Sequence, residues 1–199
     1  MAIPMTDKVL AEAFGANSGT ALRAKQVALV LAGVAILAIS AKIAVPMWPV
    51  PITMGTFAVL GLGAAYGPRL GFATIALYML VGALGFDVFA GSSAEKFGLA
   101  YMKGGTGGYL IGYVLATIAL GMFARKGWDR SFGKMALGMF IGNVLIYVPG
   151  LIWLGQLYGW DQPILAWGLT PFLVGDAIKL ALAALILPAA WKFVGKARG

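Results

Sequence analysis

Cysteine and histidine are absent from this 199-residue chain, and only 11% of its residues are charged. Without cysteine there is no disulfide and no thiol nucleophile; without histidine there is no imidazole base or metal ligand. The shortage of charge excludes more. Soluble domains carry about 25% Asp, Glu, Lys and Arg, so this chain has too little polar side chain to coat a water-facing surface. Hydrophobic residues make up 61% of it, and its mean hydropathy is +0.89. Lipid is the solvent such a composition requires.

Other signals are missing as well. The net charge of +8 would raise nucleic-acid binding in a soluble chain. Here the basic residues flank apolar runs with no basic face or RNA-binding motif, so they orient the chain in the bilayer instead. Residues 1–23 contain Asp7 and Glu12 and no continuous apolar core, so no cleavable signal peptide is expected. Between Gly127 and Gly133-Lys134 stand five residues, and Met135 replaces the Ser or Thr that holds magnesium in a P-loop. The run Gly104-Gly-Thr-Gly-Gly108 follows no strand and lacks the full dinucleotide fingerprint. The chain has no visible ATPase of its own and implies no cofactor.

What is present is a series of six apolar runs, at residues 24–44, 52–66, 69–85, 107–124, 135–155 and 171–191, judged against the roughly 20 residues a helix needs to cross a bilayer. The second and third are separated only by Tyr66-Gly67-Pro68-Arg69. Pro68 disfavours helix at Gly67 and starts a new one, which forces a tight reversal. With both ends cytoplasmic, the inside receives Lys8, Arg23, Lys25, Arg69, Arg125, Lys126, Arg130, Lys134, Lys192, Lys196 and Arg198, and the outside only Lys42, Lys96 and Lys103. Eleven against three is a strong positive-inside bias, which an odd number of spans would scatter. The expected architecture is an all-α integral membrane protein: a single six-helix domain over 24–195, preceded by a cytoplasmic segment, 1–23. That segment is either a short interfacial helix, with Val9, Leu10, Ala13 and Phe14 on one face, or a disordered tail. The outer connection 86–106 is long and rich in Gly, which makes it a candidate lid.

Lys179 lies inside the sixth span with Asp176 three residues before it, so the two share a helix face. Entry near Pro171 places them roughly 8 and 12 Å below the outer edge. Two readings stand: a structural ion pair, or a polar ligand site facing the bundle interior, the default for ionisable groups within a membrane. Asn143, in the fifth span, reaches a comparable depth, and Tyr147 follows one turn further out. Either can serve as interhelical glue or as pocket lining. Trp48 sits in the three-proline connection Pro46–Pro51, where it belongs to the interfacial aromatic belt or caps the pocket. Ala24, Ala28 and Ala32 line one stripe of the first span, which suits packing within the bundle or docking to another membrane subunit.

Taken in order, Pro49-Val-Pro-Ile-Thr-Met54, Gly67-Pro-Arg-Leu-Gly71, Phe89-Ala-Gly-Ser92, Gly105-Thr-Gly-Gly-Tyr109, Gly142-Asn-Val-Leu-Ile-Tyr147 and Gly175-Asp-Ala-Ile-Lys179 resemble the BioY biotin transporters. These are the substrate-binding S components of energy-coupling factor (ECF) transporters. The resemblance covers about residues 45 to 185. It implies six spans with both termini cytoplasmic, and biotin uptake across the cell's inner (cytoplasmic) membrane from a site near the outer face. It implies that Asp176 and Lys179 match the family's Asp-x-x-Lys ligand pair and that loops 1–2 and 3–4 cover the site, which brings Thr53, Ser92 and Tyr109 into the candidate set. A T component docking on the alanine stripe and two ABC-type ATPases are the implied partners. Gly55 departs from the pattern, where glutamine is expected, and so does Gly105, where proline or arginine is common. Biotin suits the pair: ionised Asp176 accepts from ureido N–H groups, Lys179 donates to the ureido oxygen, and Lys103 is the outer-loop cation for the valerate. S components for thiamine or riboflavin, and a lipid-modifying membrane enzyme, are the rival readings.

Overall fold

The computed structural model describes residues 8–91 and 97–198. In chain order they form α1 (Gly19–Lys42), a hairpin of two-residue strands β1 (Ala44–Val45) and β2 (Ile52–Thr53), α2 (Gly55–Ala83), α3 (Gly98–Met102), α4 (Gly107–Arg125), α5 (Phe132–Tyr158), α6 (Ile164–Gly168) and α7 (Leu173–Arg198). Five stretches are long and apolar enough to cross a membrane: α1, α2, α4, α5, and α7 with the α6 turn ahead of it. One of them is double. Gly67 leaves helical geometry at φ 78° and ψ 174°, a conformation only glycine adopts readily, and Pro68 restarts the helix. The two halves run back alongside each other: a Cβ placed on Gly71 would lie 3.5 Å from the Cα of Gly63, whereas eight residues along a straight helix span about 12 Å. This helical hairpin makes the six expected spans.

α4 is the centre of the bundle, packed on α2 and α5. Small residues let the backbones close up, as membrane helices require where no hydrophobic effect separates lipid from core. A Cβ on Gly121 would meet the Pro68 nitrogen at 2.3 Å, and one on Gly112 the Ile146 Cα at 2.5 Å. The main core joins α2, α4, α5 and α7 through Leu60, Leu120, Met139, Ile146, Leu154 and Leu187. A second cluster sits toward the outer side, where Leu37, Val59, Ile75 and Tyr78 meet Phe89 and Tyr101 of the outer connection.

Two features differ from the sequence expectation. Proline-stiffened residues 46–51 are closed by an antiparallel pairing of Ala44 with Thr53 and Val45 with Ile52, so the first outer loop is a small β-hairpin. The described residues preceding α1, 8–18, pack against the bundle in place of a free tail. They make one 3-10 turn (Leu10–Glu12) that plugs the cytoplasmic end. Val9 and Ala13 are buried while Phe14 is exposed, Glu12 pairs with Arg125 at 2.7 Å, and Arg130 donates to the Lys8 carbonyl at 3.0 Å. Val9 fills the space left by the missing side chain of Gly67.

Candidate functional site

α7 enters from the outer side, and its first turn carries Asp176, where the positive end of the helix dipole favours a carboxylate. One turn on, Lys179 lies on the same face. Both are buried, at 5% and 7% exposure, and they pair at 2.9 Å. The Lys179 ammonium has three donors and uses all of them: on Asp176 Oδ1, on the Thr53 carbonyl at 2.7 Å and on Thr56 Oγ1 at 3.0 Å. The other Asp176 oxygen accepts from the Tyr147 phenol. One ion pair therefore ties together β2, α2, α5 and α7.

Lys179 lines a narrow cavity of about 50 Å³. Lys179, Tyr147, Thr53, Thr56, Thr106 and Tyr109 face it, along with Tyr78, Tyr101, Tyr113, Phe89, Leu37 and Ile146. The walls are thus aromatic and aliphatic, with a cation and several hydroxyls fixed among them. Asp176 stands behind this surface and holds Lys179 and Tyr147 toward it. The Tyr109 phenol is held on the Gly168 carbonyl at 2.8 Å, so that ring is a fixed wall.

On the outer side the cavity is closed by the segment that follows α2. Phe89 is inserted against Gly82, where no side chain could fit. It stacks on Tyr101 with centroids 5.0 Å apart and meets Tyr78 edge-on at 5.3 Å. Lys42 at the end of α1 clasps this segment, donating to Asp87 at 2.5 Å and to the Phe89 carbonyl at 2.8 Å.

Of the residues expected from the sequence, Asp176, Lys179, Tyr147, Thr53 and Tyr109 come together. Asn143 does not line the cavity; its Oδ1 is buried one turn before Tyr147 and has no partner among the described residues. Trp48 is 64% exposed and stands outside, in an aromatic cluster with Trp167 at 4.9 Å and Tyr158 at 5.4 Å. It covers the outer surface of the bundle and does not line the pocket. Lys103 is exposed, three residues before the cavity-lining Thr106. Ser92 lies outside the described residues. Ala24, Ala28 and Ala32 are exposed along one face of α1.

Sequence reasoning missed Thr56, Tyr113, Tyr101 and Phe89. Thr56 had a signal, since it follows Thr53 by three residues at the head of a span; the aromatics had none. Tyr113 also accounts for Gly55: a Cβ there would meet Tyr113 Oη at 3.0 Å and Thr53 Oγ1 at 2.9 Å, so the phenol occupies the space a longer side chain would take. At Gly105 a Cβ would come within 3.1 Å of the Pro49 carbonyl, where the second outer connection rests on the first.

Comparison with known proteins places this geometry in context. The model of the BioY family matches residues 12–196. The probable biotin transporter BioY of Pyrococcus horikoshii is 38% identical over 166 residues, 83% of this chain and 95% of that protein. The biotin transporter BioY of Thermotoga maritima is 34% identical over 160 residues, 79% and 92% of the two chains. In fold, the chain is similar to a crystal structure of the S-component for biotin from an ECF-type ABC transporter, with a TM-score of 0.74 over 88% of this chain and 95% of that one, at 24% identity.

Proposed function

Since the chain belongs to the BioY family, we propose that it binds biotin in the cavity beside Lys179 and delivers it inward across the cytoplasmic membrane as the S component of an ECF transporter. The buried Asp176–Lys179 pair at the wall of an aromatic cavity is the observation that carries this reading. Ionisable groups are costly within a membrane and are kept where they face a ligand or a partner.

In this reading the ureido oxygen of biotin accepts from Lys179, displacing one of the internal acceptors Thr53 or Thr56, and the Tyr147 phenol lies beside it. Asp176 holds both donors aimed. The aromatic walls take the apolar thiophane ring. The valerate carboxylate runs outward past Thr106 toward Lys103. Withdrawal of Phe89 and release of Lys42 from Asp87 open the entry. Energy for inward delivery comes from a T component carrying two ABC-type ATPases, which docks on the Ala24, Ala28 and Ala32 face.

Binding of labelled biotin to the purified protein tests this, with Asp176→Asn and Lys179→Ala beside the parent. The parent binds and is competed by neither thiamine nor riboflavin, whereas each variant loses at least about tenfold in affinity, the scale of one charge-assisted hydrogen bond. Unchanged affinity in both variants overturns the site, and no binding by the parent overturns the ligand.

A further inference from the structure

Away from the cavity beside Lys179, the cytoplasmic rim carries a second opening, between the start of α1 and the 68–83 half of α2, of about 380 Å³. Its walls include Lys25, Arg69 and Arg125, with Glu12 and Tyr66 between them. We propose that this groove holds the phosphate of an anionic phospholipid of the inner leaflet.

The groove is built and charged. The Lys25 ammonium donates to the Phe14 carbonyl at 2.5 Å, so its position is fixed by the plug that precedes α1. Arg125 is held by Glu12 at 2.7 Å, and the Tyr66 phenol is committed to the Leu29 carbonyl at 3.0 Å. Arg69 is exposed and has no acidic partner among the described residues. Among the described residues, three cations against one carboxylate leave an excess of two positive charges around an opening large enough for a headgroup. Arginine matches phosphate oxygens in a bidentate fork, and lysine adds a point charge.

Location selects a lipid over a soluble anion. The groove lies at the level where the helices leave the bilayer, on the face that carries the positive-inside excess, where an anionic leaflet surface concentrates such headgroups. Directly outward along the 68–83 half of α2, Phe72 and Leu80 are exposed on the helix face that carries Arg69 and provide a lipid-facing track for acyl chains that starts at the groove. A phosphate seated between Lys25 and Arg69 would have its tails in place without any rearrangement.

The full chain, purified in detergent, is titrated with phosphatidylglycerol, phosphatidylcholine or inorganic phosphate and followed by native mass spectrometry, with biotin binding as the check on folding. Phosphatidylglycerol is retained in preference to phosphatidylcholine, and inorganic phosphate competes only weakly. Lys25→Gln and Arg69→Gln each weaken its retention about fivefold, the effect of one cation near an anionic surface. Lys192→Gln, an equal charge change elsewhere on the same rim, leaves it unaltered. Equal retention of the two lipids, an equal loss in Lys192→Gln, or inorganic phosphate displacing the lipid at equal concentration overturns the proposal.

Discussion

At the residue scale the question is what one buried ion pair contributes. Lys179 and Asp176 share one salt bridge and both meet the Thr56 hydroxyl, but each also serves a neighbour that the other does not touch: Thr53 for the lysine, Tyr147 for the carboxylate. Removing one partner strands an uncompensated charge, which costs about 3–5 kcal/mol in a buried pair. Removing both strands none. Asp176→Asn and Lys179→Met are therefore each expected to lower the thermal midpoint in detergent, whereas the double variant recovers much of the loss yet still fails to bind biotin. A double variant as unstable as the sum of the singles would show that the two groups are independent. The pair was legible in the sequence because charge inside an apolar run is conspicuous. Tyr113 was not, because an aromatic in a span carries no mark that separates pocket from core or lipid. Asn143 shows the limit of depth arguments: its level along α5 was readable, whereas the direction of its side chain was not. In a helix that is apolar all round, periodicity does not say which face is inside.

At the element scale, the turn within α2 is where local chemistry set the topology. Gly67 and Pro68 announced the reversal, and the structure adds what locks it: α4 presses Gly121 directly onto the backbone of that turn. A methyl group at 121 would meet backbone atoms of both Gly67 and Pro68 at 2.5 Å or less, and backbone cannot rotate aside. Gly121→Ala is expected to cut the yield of folded protein severely, whereas Gly133→Ala, with nothing within 4 Å, leaves it unchanged or slightly improved by helix propensity. Size-exclusion profiles of the two variants decide it. The connection between α4 and α5 holds a second device. Asp129 is fully buried, accepts from the Trp191 indole at 2.5 Å, and neighbours Arg130, which lies over the Trp191 ring at 4.3 Å. Its other oxygen has no partner among the described residues. Burial pushes its carboxyl up to about 6, against the opposing pull of the Trp191 N–H and Arg130. An acid whose folded-state pKa lies above its unfolded value binds its proton more tightly in the fold. Stability therefore rises as pH falls through about 6, and the gain is complete below about 4. The parent is expected to melt higher at pH 5 than at pH 7.5, and Asp129→Asn, which keeps an acceptor for Trp191, to flatten that rise. An identical pH profile in the variant would assign the dependence to another group.

At the scale of the whole molecule, the two ends of the bundle are built differently. The outer end is covered by connections that a ligand can displace: the β-hairpin, the clasp of Lys42 on Asp87, and the exposed aromatic cluster around Trp48. The cytoplasmic end is sealed by Val9 in the Gly67 turn and by the ion pair of Glu12 with Arg125. A closed inner end and a movable outer cover suit a protein that captures its ligand from outside and does not conduct it through a pore of its own. In the proposed reading inward delivery involves a membrane partner, and that partner needs a face on which to hold the chain. The α1 stripe of Ala24, Ala28 and Ala32 is exposed and free of bulky side chains, and it lies on the opposite side of α1 from Gly33 and Leu37, which pack inward. A bulky residue on this stripe would block close helix approach without touching the ligand cavity. Ala28→Trp is accordingly expected to bind labelled biotin as the parent does but to lose most energy-dependent uptake in cells and most co-purification with a T component. Should the variant instead lose biotin binding and keep its partner, the stripe would belong to the internal packing of the bundle and the docking face would lie elsewhere.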